Sequence, residues 1–274
     1  MSDLRSVDHR STLQNYRYLM ERMTDSQLEQ AVAHNHAQLF FHNAIARGGE
    51  VRTAGNITYT YDGRDFQSMI AFPSLDEASA DEQLDEMMAW YREHPTRGLG
   101  CWSLAPPRPA DLGARLLARG FQNGWRPCWM AMDLAGMEQE IPAQLQIVAD
   151  NYLSLHHLKD IPYTGEHGAV SPMLMKAHPE LTQQFIALVN GKIVGHSSVF
   201  FATGEYGVAG LYDVAVTPSM RGKGIGKALV KAACFYGRAR GYRYAVLNAT
   251  GRRMYEQVGF RHIGDGMTWW WFPQ

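Results

Sequence analysis

The chain has 274 residues, more than one domain of about 100–150 residues requires. Its formal net charge is -1, so nothing in the composition predicts a nucleic-acid partner, which would need a basic surface. The three cysteines are far apart and form no C-x-x-C pair, which argues against a disulfide framework or a zinc site. The sequence shows no apolar signal-peptide core and no apolar run near the ~20 residues of a membrane span. We therefore expect a cytoplasmic protein with no metal and no membrane partner.

The first half of the chain alternates helical and strand patterns. Apolar residues at helical spacing predict helices over 12–47 (with a new cap at Thr24), 76–94 and 111–119. β-branched and aromatic residues predict strands over 51–61, 66–72, 101–104 and 125–134.

Residues 136–145 are typical of a linker, and a similar order of elements follows it. A helix, or a strand leading into a helix, is predicted over 147–158, and further helices over 171–178, 225–240 and 252–258. Strands are predicted over 185–189, 193–201, 206–216, 244–247 and 260–272, with Asn190-Gly191 as a hairpin turn. In the last strand, alternation of Trp269, Trp270 and Trp271 predicts one core face and one face toward a pocket or the seam between domains.

Both halves end with a short helix, a Gly-Phe pair and an aromatic strand, at Gly120-Phe121 and at Gly259-Phe260. An ancient duplication explains this match. The alternative is that the two halves reached the same helix–turn–strand pattern by convergence. We predict two domains, over residues 1–135 and 146–274, joined by the linker.

The most informative segment is a strand followed by a glycine loop and a helix. The strand ends near Val216, Pro218 stops regular pairing, and Arg221-Gly-Lys-Gly-Ile-Gly226 leads directly into the next helix. Glycines let the backbone approach a ligand closely, and the start of a helix presents free N–H groups with a partial positive charge. Such a loop is suited to a phosphate or diphosphate, although a tight turn before a helix is the plainer interpretation of the glycines alone.

Two other phosphate-binding motifs do not fit this loop. A Walker motif requires Ser or Thr after its lysine, whereas Ala228 follows Lys227. A dinucleotide motif requires Gly-x-Gly-x-x-Gly and an acidic residue at the end of the next strand, where Leu247 and Asn248 stand.

The segment resembles the cofactor motif of the GNAT superfamily of acyl-CoA-dependent N-acyltransferases. The family pattern Gln/Arg-x-x-Gly-x-Gly/Ala is met by Arg221, Gly224 and Gly226, after a strand like the family's fourth strand. Downstream, Asn248 and the segment from Tyr255 to Phe260 are similar to the family's Asn and Tyr-x-x-x-Gly-Phe elements. The resemblance covers about residues 145–265.

The resemblance implies an α/β fold with mixed, mostly antiparallel twisted sheets flanked by helices, here as tandem GNAT-like lobes. The first half matches only in outline, because Pro106–Gly113 stands where its cofactor loop would be and proline cannot donate a backbone N–H. The resemblance therefore implies a degenerate N-terminal lobe beside a catalytic domain that binds acetyl-CoA.

The family pattern also implies roles for individual residues. Tyr255 would be the general acid, and Asp213 is a candidate base because the usual strand-four Glu is replaced by Gly210. His196, His156-His157 and Glu166-His167 are weaker candidates near the acceptor. The residues expected to bind the cofactor are Val214, Ala215, Val216, Arg221, Gly222, Lys223, Gly224, Ile225, Gly226, Lys227 and Asn248.

The expected function is transfer of an acetyl group from acetyl-CoA to a primary amine, by direct attack in a ternary complex. A small-molecule acceptor is the first interpretation, and a protein lysine or N-terminus is the second. Because the strand-four Glu is absent, a non-catalytic acyl-CoA-binding regulatory module is a third. A monomer or a homodimer is compatible with the sequence.

Overall fold

The computed structural model describes residues 22–137, 145–150 and 161–273. We call residues 22–137 the N-terminal half, and the remaining described residues the C-terminal half. The α-helices in these ranges are α1 (Asp25–Ala46), α2 (Ala80–Glu93), α3 (Leu112–Ala118), α4 (Pro172–Ala177), α5 (Ile225–Ala239) and α6 (Arg252–Glu256). No helix among the described residues has both the length and the apolar character needed to cross a membrane.

The strands form one continuous sheet across both halves. The N-terminal half contributes β1 (Glu50–Ala54), β2 (Ile57–Tyr61), β3 (Gln67–Ala71), β4 (Gly98–Leu104), β5 (Gln122–Asn123) and β6 (Cys128–Asp133). The C-terminal half contributes β7 (Gln146–Asp150), β8 (Thr182–Val189), β9 (Lys192–Phe201), β10 (Ala209–Val216), β11 (Tyr244–Asn248) and β12 (Arg261–Trp271). The spatial order is β1-β2-β3-β4-β12-β6-β11-β10-β9-β8-β7, with β5 beside β12.

The two halves exchange their last strands. β6 lies between β11 and the first part of β12, so the final strand of the N-terminal half completes the C-terminal sheet. The second part of β12, from Gly266 to Trp271, pairs with β4 and β5 of the N-terminal half. Each half therefore depends on a strand that the other half supplies.

Helices cover both faces of this sheet. α2 and α3 cover one face of the N-terminal strands, around Leu84, Leu116 and Trp269. α5 and α6 pack against β8 to β11 in the core of the C-terminal half. α1 crosses the opposite face at the junction, where Leu28 and Phe40 pack with residues of β4, β6 and β11. A helix from the first half thus covers strands of the second.

The predicted fold class is confirmed: the sheet is mixed and mostly antiparallel, with parallel pairing in its ladders between β3 and β4 and between β10 and β11. The helix cap at Thr24 is also present as a reciprocal capping box with Gln27. The hairpin turn at Asn190-Gly191 is confirmed, with φ of 50° and 72°.

Several predicted bounds are wrong. The single strand over 51–61 is a hairpin, because Gly55 takes a positive φ of 55° and reverses the chain between β1 and β2. α2 begins at Ala80, four residues after the predicted start at 76. Of the element predicted over 147–158, the structure describes a strand up to Asp150, and the remainder lies outside the described residues. The division into two domains stays a prediction, although the strand exchange crosses it.

Candidate functional site

β10 and β11 separate just before the glycine loop. They pair in parallel as far as Leu211 opposite Leu247. β10 then continues along β9 to Val216, with a register shift after Tyr212 that marks a bulge. Among the described residues, the edge of β10 beyond Leu211 has no ladder partner on the β11 side. Its backbone groups are therefore available to a ligand.

The glycine loop between β10 and α5 is open to solvent. Gly222 and Gly224 have φ of 75° and 78°, and a Cβ at either position would meet no atom within 4 Å. α5 begins after Gly224, which has no side chain to cap the first-turn amides. Free N–H groups at a helix N-terminus, reached over a surface without side chains, fit an anion such as a diphosphate.

Three cations surround this loop. Arg221 donates from Nε to the Val216 carbonyl oxygen over 3.2 Å, and Lys227 donates from Nζ to Gln257 Oε1 over 3.1 Å. Lys223 is exposed on the same turn. These contacts hold positive charge beside the helix N-terminus.

The predicted cofactor residues lie at one end of the sheet, where the parallel strands β10 and β11 finish. Val214, Ala215 and Val216 lie on the separated edge of β10, the glycine loop follows directly, and Asn248 ends β11. The Asn248 side chain accepts a hydrogen bond from the Cys128 amide over 3.1 Å, which fixes it to β6.

Asp213 lies in the bulge of β10 with a φ of 55°. Its Oδ1 accepts the Ala169 N–H at 2.7 Å, and its Oδ2 accepts the Val170 N–H at 3.2 Å. Burial raises the pKa of Asp213 to about 6, against the opposing effect of these amides. The carboxylate is therefore mostly ionised at neutral pH and close to its titration range.

Tyr255 lies on α6 and is buried, with its ring at an edge-on contact with Phe260. Burial, with a smaller contribution from Tyr163, raises the pKa of the Tyr255 phenol to about 12. The phenol is therefore protonated at neutral pH.

A cavity of about 1060 Å³ lies between the two halves. Its wall in the C-terminal half includes the predicted site residues Asp213, Val214, Asn248 and Tyr255. The N-terminal half contributes mainly aromatic and charged residues, among them Phe40, Arg47, Phe66, Arg97, Trp102, Trp125 and Arg126. The cavity thus joins the predicted acid and base to a wall that the sequence resemblance does not cover.

Asn35 of α1 occupies the space beside Gly210, where the family's strand-four Glu would stand. A Cβ at Gly210 would lie 2.0 Å from Asn35 Oδ1. The Asn35 amide donates to the carbonyl oxygens of Phe200 and Val208, and the Tyr212 hydroxyl donates to Asn35 Oδ1 at 2.5 Å. The glycine is therefore required by helix packing. No sequence signal identifies this contact, because Asn35 lies in the middle of an ordinary helical pattern.

Two further cavity residues, one on α1 and one directly after it, were not predicted. His36 is buried among the rings of Trp102, Trp129 and Tyr212, and burial lowers its pKa to about 4, so its imidazole is neutral at neutral pH. Arg47 pairs with Asp62 at 2.9 Å and with Glu166 at 3.2 Å. This ion pair connects α1 to the C-terminal half beside the cavity.

The other candidate bases lie in different environments. His196 is buried, donates from Nε2 to the Pro162 carbonyl oxygen at 2.7 Å, and is not part of the cavity wall. Glu166 and His167 line the cavity, and Glu166 is held by the ion pair described above. His156 and His157 lie outside the described residues.

One group of side chains in the described ranges has the composition of a metal site, although the sequence predicts none. The ligand atoms of Cys128, His262 and Asp265 lie within 4.8 Å of one another. Burial raises the pKa of the Cys128 thiol, which favours the protonated form over the thiolate that binds metals. We assign no metal to this cluster.

Comparisons with known proteins agree with this geometry. The family model described as "Acetyltransferase (GNAT) family" matches residues 152–260. A glucosamine 6-phosphate N-acetyltransferase of Trypanosoma brucei brucei is 30% identical over 137 residues, which are 46% of this chain and 93% of that protein. The chain belongs to the GNAT family and is an acetyltransferase.

Solved structures support the fold over most of the chain. A GCN5-related N-acetyltransferase from Kribbella flavida matches with a TM-score of 0.67 and 16% identity, over 89% of this chain and 96% of that chain. A tandem GNAT protein from the clavulanic acid biosynthesis pathway matches with a TM-score of 0.54 and 15% identity, over 80% of this chain and 79% of that chain. At these identities the comparison supports the fold alone.

Proposed function

We propose that the protein transfers an acetyl group from acetyl-CoA to the primary amine of a small molecule, by direct attack within a ternary complex. The observation that carries this proposal is the contact between the separated edge of β10 and the cavity. Val214 on that edge belongs to the cavity wall, together with Asn248 and Tyr255. A donor extended along β10 would therefore present its thioester to an acceptor in the cavity.

The residues of the separated edge and the loop fit coenzyme A. Its diphosphate would bind the amides from Arg221 to Lys227, and its pantetheine arm would pair with the backbone of Val214, Ala215 and Val216 as an added strand. Asn248 would contact the arm where the sheet opens. When bound, the cofactor supplies the activated acetyl group and a thiolate leaving group.

Between ammonium and amide the nitrogen loses two protons, and the departing sulfur gains one. An amine attacks only in its neutral form, and Asp213, ionised at neutral pH, would attract the ammonium and accept its first proton. Tyr255, protonated at neutral pH, would donate to the departing sulfur and regain a proton from the nitrogen as the amide forms. Holding both reactants in one place would supply much of the rate acceleration.

The size of the cavity and its position between the two halves favour a small acceptor over a protein lysine or N-terminus. Both halves form its wall, and its volume of about 1060 Å³ corresponds to a site for a small molecule. The name of the Trypanosoma relative states a small phosphorylated amine, glucosamine 6-phosphate, which supports the same class here.

A coupled assay of free thiol release separates the candidate functions. We expect turnover with small amines and little with lysine peptides or peptide N-termini. Turnover with peptides alone would instead favour a protein acetyltransferase. Calorimetric binding of acetyl-CoA without turnover of any amine would favour the regulatory module.

The Gly224→Glu variant tests the cofactor site. A glutamate at this positive-φ position strains the loop and puts a negative charge at the start of α5, so we expect acetyl-CoA affinity to fall by about 100-fold or more. The matched control is Gly191→Glu, since Gly191 also has a positive φ, of 72°, and open space around its Cβ position. If the two variants bound acetyl-CoA with equal affinity, the glycine loop would not be the cofactor site.

A further inference from the structure

Three tryptophan rings, two from the N-terminal half and one from β12, form a connected row on the wall of the cavity. Trp125 stacks with Trp270 at a centroid distance of 5.8 Å and an interplanar angle of 23°. It also meets Trp102 edge-on, with centroids 5.2 Å apart. All three line the cavity. We call this group the tryptophan row.

Two glycines let Trp270 lie close against the sheet. A Cβ at Gly100 or at Gly124 would lie 2.9 Å from the Trp270 ring. The neighbouring Trp269 and Trp271 point to the opposite face and belong to the core beneath α2 and α3. The sequence of the last strand thus gives one tryptophan to the cavity and two to the core.

Trp125 remains 47% exposed although it belongs to this row. A large aromatic ring left open inside a cavity is a stacking surface for a flat or ring-shaped ligand body. Trp102 is buried, and it supports the ring of Trp125 through their edge-on contact.

Positive charge adjoins the row. Arg126 follows Trp125 in the chain, lines the cavity, and has no carboxylate partner in the part of the chain that the structure describes. Arg47 in the same cavity is, by contrast, paired with Asp62 and Glu166. An unpaired guanidinium beside an aromatic surface suits a phosphate or carboxylate on the same ligand.

We propose that the N-terminal half selects the acceptor, which is a ring-shaped amine carrying an anionic group: the ring stacks on Trp125 and the anion binds Arg126. This inference rests on the proposed function, because it names the class of amine that enters the cavity. It makes Trp125 and Arg126 specificity-determining residues that lie outside the family motif.

The kinetic test compares three amines on one ring scaffold: glucosamine 6-phosphate, muramic acid and glucosamine. We expect one or both anionic amines to exceed glucosamine in kcat/KM by about 10-fold or more, and the better of the two identifies the anion as phosphate or carboxylate. Arg126→Ala should raise KM for the anionic amine by about 10- to 100-fold with kcat and acetyl-CoA affinity little changed, and Arg126→Lys should restore part of the loss.

Two variants serve as comparisons. Trp125→Ala should raise KM for all three amines by about 3- to 10-fold, whereas Trp125→Phe should keep most of the affinity. Arg92→Ala, on the exposed surface of α2, should match the wild type. Equal use of charged and neutral amines, or a preference that survives Arg126→Ala, would overturn the inference and leave the acetyltransferase proposal standing.

A calorimetric titration, with coenzyme A at saturation, measures acceptor binding without requiring turnover. If no amine turns over, binding of an anionic amine that Arg126→Ala weakens would support the inference, although the proposed function would have failed. Absence of binding by both glucosamine 6-phosphate and muramic acid would overturn the inference by itself.

Discussion

Gly210 lies beneath Asn35 of α1, and this contact limits which residues β10 tolerates at the site. A Cβ at position 210 would lie 2.0 Å from Asn35 Oδ1 and 2.7 Å from the Tyr212 ring. Moving Asn35 away would break hydrogen bonds, because its amide donates to two backbone carbonyl groups. Packing of the first half of the chain on the second therefore leaves no room for a carboxylate side chain at this position of β10.

We expect Gly210→Ala to lower the free energy of unfolding by about 1–3 kcal/mol, because the added methyl group overpacks this contact. Chemical denaturation measures the change. Gly136→Ala is the matched control, since no atom lies within 4 Å of its Cβ position, and it should change stability by less than about 0.5 kcal/mol. Equal stability of the two variants would contradict the packing argument.

Tyr255 is the predicted acid, and its hydroxyl is the only group removed in Tyr255→Phe. We expect kcat to fall by about 100-fold while the affinity for acetyl-CoA changes little, because the proton is needed by the leaving sulfur and not by the bound cofactor. Steady-state kinetics and a separate binding titration measure the two effects. Tyr236→Phe, on α5 against Phe185 and Phe201, loses the same hydroxyl away from the cavity and should remain active. Unchanged turnover in Tyr255→Phe would exclude this role.

The pKa of Asp213 predicts that the rate of acetyl transfer depends on pH. Its pKa is raised to about 6, so the carboxylate is protonated below that pH and ionised above it. If the ionised form accepts the amine's proton, kcat/KM rises with pH through about 6. Asp213→Asn should lower the rate and remove this limb of the pH–rate profile, while any limb due to the amine itself remains. If the limb near pH 6 persisted in Asp213→Asn, it would report the titration of another group.

At the scale of elements, local patterns predict the geometry of the glycine loop well. The loop geometry is local, because Gly222, Gly224 and the start of α5 lie within a few residues of one another. The backbone preferences of these residues are therefore enough to predict it. The same holds for the turn at Asn190-Gly191. The missed turn at Gly55 shows the limit, because apolar alternation continues through it on both sides.

The acceptor side of the site could not be predicted in this way. The tryptophan row joins residues of β4, β12 and the segment before β6, which meet only through long-range strand pairing. Periodicity does show that Trp270 faces away from Trp269, but it does not show which partner strand lies beside it. Local sequence patterns therefore predict the glycine loop, whereas the tryptophan row depends on strand pairing that they do not predict.

At the scale of the whole molecule, strand exchange couples the two halves energetically. Trp269 is buried in the N-terminal core and Leu229 in the C-terminal core. We expect a single calorimetric unfolding transition, and Trp269→Ala and Leu229→Ala should each shift that one transition downward, with costs of about 3–5 and 2–5 kcal/mol. Two separate transitions, each moved by only one variant, would show that the halves unfold independently.

The exchange also has a consequence for biosynthesis. Residues Gly266–Trp271 of β12 are synthesised long after β4, yet they fill the strand position beside β4 in the first half of the protein. Until they emerge, the nascent N-terminal half carries an unfilled strand position, with the apolar surface and free backbone groups that attract chaperones or aggregate. Native assembly of the earlier half is therefore expected to wait until β12 has been synthesised.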